Sequence, residues 1–163
     1  MSLADTRPSL EDVWSWLDAV PDPEIPVISL VDLGIIRDVA YDGETLVVAV
    51  TPTYSGCPAT RVINLDILAA LEAHGVRDVR LETRLSPAWT TEKGRAALRD
   101  YGIAPPVEGT AICGAARVAE PEVACPHCGS TNTQMVSAFG STPCKASWRC
   151  SDCLEPFDYF KCI

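Results

Sequence analysis

At 163 residues the chain has room for one domain plus a small module, or for two small domains. It is 47% apolar, enough to bury a core, and its 22 acidic against 13 basic residues leave a net charge of −9. Such a balance disfavours nucleic acid, anionic lipid and free coenzyme A as partners, and with no run of about eighteen apolar residues no membrane span is expected.

The N-terminal stretch Met1 to Pro8 has no apolar signal region, so a cytoplasmic protein is expected. Eight cysteines in that setting point to metal or thiol chemistry rather than disulfides. Ser9-Leu10-Glu11-Asp12 fits a capping box. The helix it opens carries Leu10, Val13, Leu17 and Val20 at helical spacing and stops at Pro21. Asp22-Pro23-Glu24-Ile25-Pro26 then holds two carboxylates in a stiff turn. They could be oxygen ligands or proton acceptors, but local sequence alone favours a solvated turn.

Ile35 to Tyr41 and Thr45 to Val50 flank Asp42-Gly43, a strong hairpin signal. The second strand stops at Pro52, and a helix is predicted over Val62 to Ala73. Between them Gly56-Cys57-Pro58 delivers one thiol. Proline is favoured at the first helical position, which makes Cys57 the expected N-cap. There the unpaired N–H groups and the helix dipole would stabilise a thiolate able to bind metal. A cysteine also serves as a small buried hydrophobe, but the Gly-Cys-Pro setting favours a functional thiol.

The helix places Ile63, Ile67, Ala70 and Leu71 on one face, with Arg61, Asn64 and Glu72 opposite, and Gly75 ends it. Val79, Leu81 and Leu85 alternate with Arg80, Glu82 and Arg84 as a half-buried strand. A short helix over Thr91 to Tyr101 is closed by Gly102, with Trp89 in the loop before it. The expected fold is α+β: a small two-layer sandwich of helix, β-hairpin, helix, strand and helix over residues 1–104, with a mixed sheet. Residues 105–124 lose periodicity and read as a linker. Residues 125–163 read as a small β-rich module.

That module carries the most specific chemical signal. Cys125-Pro126-His127-Cys128 and Cys150-Ser151-Asp152-Cys153 each present two sulfurs from one turn, and residues 129–149 separate them. Two such turns make a closed tetrahedral thiolate site, a zinc ribbon. Zinc is the default ion, and a ferrous ion would fit the same sulfurs. So small a module would be folded largely by its metal. His127 is expected at the surface. Cys144 and Cys162 are surplus to the site and read equally well as auxiliary thiols or packing residues, Cys144 having Lys145 beside it. Cys113 is read as incidental. Lys145, Arg149 and Lys161 are balanced by Asp152, Glu155 and Asp158, which suits protein docking rather than nucleic acid.

Three motifs, Asp22-Pro23-Glu24-Ile25-Pro26, Asp32-Leu33-Gly34-Ile35 and Thr51-Pro52-Thr53-Tyr54-Ser55-Gly56-Cys57-Pro58, resemble the iron–sulfur assembly domain of SufT-type proteins. Leu85-Ser86-Pro87-Ala88-Trp89-Thr90-Thr91, Tyr101-Gly102-Ile103-Ala104-Pro105-Pro106 and Phe139-Gly140-Ser141-Thr142-Pro143-Cys144-Lys145 narrow the resemblance. With the ribbon, they make the chain similar to the D-subunit family of the phenylacetyl-CoA epoxidase system. The resemblance implies an accessory subunit of a multicomponent ring epoxidase in aerobic phenylacetate catabolism, without a catalytic centre of its own. Its implied partners are the di-iron oxygenase and the iron–sulfur reductase of that system. The family's metal-handling cysteine corresponds to Cys57 and its acidic motif to Asp22 with Glu24, so a transient iron or iron–sulfur cluster is implied there. A scaffold that only bridges components is the alternative, and an independent thiol-redox enzyme a weaker one. Self-association is left open.

Overall fold

Ser9 opens the first helix as its sequence predicts, its Oγ accepting from the Asp12 N–H at 3.1 Å. Helix α1 (Leu10–Asp18) buries Val13 and Leu17. The computed structural model describes residues 7–52, 57–84, 91–107 and 121–160. It divides into two compact units, Met1–Pro52 with Gly56–Leu85, and Thr53–Ser55 with Ser86–Ile163.

In the first unit, β1 (Ile36–Asp42) and β2 (Thr45–Val50) form the antiparallel hairpin expected around Asp42-Gly43. Gly43 takes a φ of 63°, which a two-residue hairpin turn requires. Helix α2 (Thr60–Ala73) crosses over to β3 (Val79–Thr83), which pairs parallel to β2, giving sheet order β1-β2-β3. The C-terminus of α2 is a Schellman motif. The Val76 N–H reaches the Leu71 carbonyl at 3.0 Å and the Gly75 N–H reaches Glu72 at 2.9 Å, with Gly75 at φ 84°. Ile63, Ile67 and Leu71 of α2 are buried, whereas Val62, Leu65 and Leu68 stay exposed. The central strand β2 is buried from Leu46 to Val50. Arg80 of β3 and Arg84 just after it reach Asp42 and Asp38 on β1, at 2.9 and 3.4 Å. These pairs are exposed and contribute little energy.

The second unit begins earlier than the sequence suggests. The helix expected to complete the sandwich, α3 (Glu92–Asp100), belongs here, as does β4 (Ile103–Ala104). Strands β5 (Thr133–Ser137), β6 (Lys145–Cys150) and β7 (Pro156–Phe160) form an antiparallel ribbon, and β4 adds parallel to β7 in the order β4-β7-β6-β5. By this division the second unit takes in residues ahead of the boundary expected after residue 104. Ile103 and Ala104 pair with Asp158 and Tyr159, a long-range choice of backbone partners that local periodicity does not encode. The ends of the expected linker are likewise part of this unit. The Val107 N–H donates to Tyr159 Oη at 3.3 Å, and Val123 is buried in the core with Trp148, Phe157 and Tyr159. Trp148 and Tyr159 meet edge to face, their ring centroids 6.0 Å apart.

Candidate metal centre

Two turns build the site. In the first, the Cys125 N–H donates to the Ser130 carbonyl at 2.8 Å. In the second, the Cys150 N–H donates to the Glu155 carbonyl at 3.0 Å. Each turn needs a left-handed residue directly after its second cysteine. Gly129 supplies it at φ 78°, and Leu154 at φ 65°. Glycine does this without strain, whereas a leucine there costs roughly 1–2 kcal/mol. The sequence shows the first device as Cys128-Gly129 and gives no sign of the second.

The four sulfurs converge. Cys125 Sγ lies 3.8 Å from Cys153 Sγ, and Cys128 Sγ lies 3.6 Å from Cys150 Sγ. All four lie within 4.8 Å of one another, the one group of three or more such donors among the described residues. A tetrahedral ion with metal–sulfur bonds of about 2.3 Å needs sulfur–sulfur edges of about 3.8 Å. The site therefore fits one four-sulfur ion of zinc's dimensions, with no coordination position left open.

Backbone donors are aimed at the sulfurs. N–H groups of Cys153 and then Asp152 bring the Cys150 thiol down to about 7. The Ser130 N–H pulls the Cys128 thiol down, but Cys150, burial and Cys125 outweigh it and leave that pKa raised. The Glu155 N–H likewise pulls Cys153 down, and burial with the thiols of Cys150, Cys128 and Cys125 pushes it up to about 12. The four sulfurs disfavour one another's charge, and a divalent cation held by Cys125, Cys128, Cys150 and Cys153 would offset that repulsion.

Asp152 links the turns, a role the sequence did not reveal. Its carboxylate accepts from Ser130 Oγ and from Asn132 Nδ2, the latter at 2.9 Å, and these bonds hold its pKa below the usual carboxylate value. An aspartate between two turn cysteines was the available signal, but its partners lie 20 and 22 residues away. His127 is exposed, as expected.

Cys144 lies outside the cluster. It is 4% exposed, with Thr142 Oγ1 3.1 Å from its sulfur. Burial removes the accessibility that an auxiliary transfer thiol needs, so the packing role is the one its surroundings support. Alkylation of Cys144 in the folded protein is expected to be much slower than that of a solvent-exposed thiol, as peptide mapping after timed iodoacetamide labelling would measure. Cys162 and Cys113 lie outside the described residues, as do Trp89 and residues 53–56 of the Cys57 motif.

In the first unit, Cys57 is half-buried in the turn ahead of α2. It is not the N-cap, which is Ala59 and makes no side-chain capping bond. The Thr60 N–H instead donates to the Cys57 carbonyl at 3.1 Å, and Ile63 begins the α-helical pattern by donating to Ala59. Pro58 thus occupies a tight turn before the helix rather than its first residue. Cys57 therefore lies two residues ahead of the cap position it was expected to hold.

Asp22 is buried, and its Oδ1 accepts from the Glu24 and Ile25 N–H groups at 2.9 and 2.8 Å. The Asp22 N–H donates to the Ile28 carbonyl at 2.9 Å, and Pro21 bridges Ser29, closing the loop over buried Ile25 and Ile28. The turn expected from its prolines is present, but its aspartate is a buried backbone acceptor rather than a solvated one. Glu24 is exposed. Among the described residues Asp22, Glu24 and Cys57 do not form a three-donor cluster. Asp22→Ala should cost the first unit about 1–3 kcal/mol, the penalty for abandoning buried donors. Metal content in the ribbon should not change. Thermal unfolding paired with elemental analysis reads both.

The family model described as an iron–sulfur cluster assembly protein matches residues 10–81, and that described as a PaaD zinc beta ribbon domain matches residues 111–161. The chain is 48% identical over 160 residues to an Escherichia coli (strain K12) protein named as the putative D subunit of 1,2-phenylacetyl-CoA epoxidase, covering 96% of this chain and 94% of the relative. It is 38% identical over 85 residues to an "Fe-S protein maturation auxiliary factor" of Porphyromonas gingivalis (strain ATCC BAA-308 / W83), covering 50% of this chain and 79% of that protein. A crystal structure of a domain of unknown function, DUF59, from Bacillus anthracis aligns with TM-score 0.49 at 27% identity, over 54% of this chain and 89% of its own.

Proposed function

The chain belongs to the D-subunit family of the phenylacetyl-CoA epoxidase system, and from that membership we propose that it is a cytoplasmic maturation subunit of the multicomponent epoxidase. In this reading it assists insertion of iron or an iron–sulfur cluster into an oxygenase component, and Cys57 is the residue that handles the cargo. The separation of two kinds of thiol site carries the reading. The ribbon sulfurs form a closed set suited to a permanent ion, whereas Cys57 does not belong to that set and is half-buried in a turn within the part matched by the iron–sulfur assembly model. A transfer site must release its cargo, and few donors favour release. Zinc held by Cys125, Cys128, Cys150 and Cys153 is structural in this proposal, and the ribbon presents the surface that docks the recipient.

The burial of Asp22 in its own turn favours Cys57 as the principal handling residue and leaves Glu24 as the accessible carboxylate of the acidic motif. The competing scaffold reading gives no special role to Cys57. Reconstituting the epoxidase with and without this protein, then measuring iron and labile sulfide in each component, separates the two. Under-filled metal centres in its absence support maturation. Fully loaded but unassembled components would support scaffolding.

A further inference from the structure

Helix α2 is apolar on two sides. Its inner side buries Ile63, Ile67 and Leu71, as a sandwich helix must. Its outer side carries Leu65 at 57% exposure and Leu68 at 36%, with Val62 beside them at 45%. At 100° per residue, Arg61, Leu65, Leu68 and Glu72 fall within about 60° of one another around the axis, forming one continuous seam. Both ends of the seam are charged and exposed, and neither Arg61 nor Glu72 makes an ion pair among the described residues.

The order along the seam is basic, leucine, leucine, acidic, with spacings of four, three and four residues. That order is complementary to itself when reversed. In two antiparallel copies related by a dyad between positions 66 and 67, Leu65 of each faces Leu68 of the other. Arg61 of each then faces the other's Glu72. One twofold contact thus covers four leucines and forms two ion pairs, the self-matching required of an isologous interface. A parallel arrangement would set arginine beside arginine and glutamate beside glutamate. The charge order therefore selects both the occupant and its direction.

We propose that the outer face of α2 is a self-association surface, on which a second copy of this chain packs its own α2 antiparallel. One helix seam falls short of the roughly 800 Å² per partner of a stable interface, so the dimer is weak and forms with rising concentration. Antiparallel pairing places the two Cys57 turns at opposite ends of the helix pair, more than about 20 Å apart. The two thiols therefore do not bridge one cluster, and each copy works alone. The surface stands on α2 alone and does not depend on the maturation reading.

Sedimentation equilibrium of the full, metal-loaded chain over a concentration series tests this. A monomer–dimer equilibrium is expected, with Arg61→Glu and Glu72→Arg each weakening it about tenfold, because each change turns both symmetry-related attractions into repulsions. The double exchange, Arg61→Glu with Glu72→Arg, should return the affinity to near the parent's. Leu65→Asp should leave only monomer, with circular dichroism and ribbon metal content unchanged. A chain that stays monomeric throughout the series would overturn the proposal. So would a dimer indifferent to Arg61→Glu, or a folded double exchange that fails to recover.

Discussion

Cys150→Ser should release the ribbon's metal and unfold the second unit while leaving the first intact. The four sulfurs are spaced for one ion, and a serine oxygen does not replace a thiolate donor at that geometry. Structural zinc in small modules is worth about 10–16 kcal/mol, comparable with the whole stability of a domain at about 5–15 kcal/mol. Loss of one ligand therefore removes most of what holds the β4-β7-β6-β5 sheet together. Cys150 also lies within the core beside Trp148 and Phe157, so the variant perturbs packing as well. Cys128→Ser separates the two effects, since Cys128 is exposed and contributes a ligand without filling the core. Both variants should lose metal by elemental analysis, and both should lose amide-exchange protection across β5, β6 and β7. Stoichiometric metal retained by either would show that the four cysteines are not the ligand set. Acid should act in the same direction. Protons compete with the ion for all four sulfurs, so metal content should fall as the pH is lowered, and elemental analysis across a pH series reads it.

Cys57→Ala should give the opposite pattern, a well-folded protein that fails in its task. Cys57 is half-buried and is not the N-cap of α2, so its removal should cost on the order of 1 kcal/mol or less. The ribbon keeps its metal, because all four of its ligands are elsewhere in the chain. On the maturation reading, epoxidase assembled with this variant should have under-filled metal centres and correspondingly low turnover. Iron or cluster supplied chemically afterwards should restore activity. On the scaffold reading the variant should behave as the parent does. Normal metal content together with normal turnover would remove Cys57 from the mechanism.

The sequence by itself determined the features set by neighbouring residues. The Ser9 cap, the Asp42-Gly43 hairpin and the Gly75 helix stop are each written in a few adjacent positions, because capping and turn chemistry act over three or four residues. The four ribbon cysteines were legible for the same reason, as paired sulfurs in two short turns. The tertiary structure decided what depends on distant partners. It gave Ile103 and Ala104 to the ribbon sheet, buried Asp22 as an acceptor for its own turn, and joined Asp152 to Ser130 and Asn132. It also moved Cys57 off the helix cap and left Leu65 and Leu68 uncovered on the outside of α2. Periodicity shows that a residue belongs to a face. Whether that face is covered, and by what, depends on pairings between segments far apart in the chain, and no local pattern encodes them.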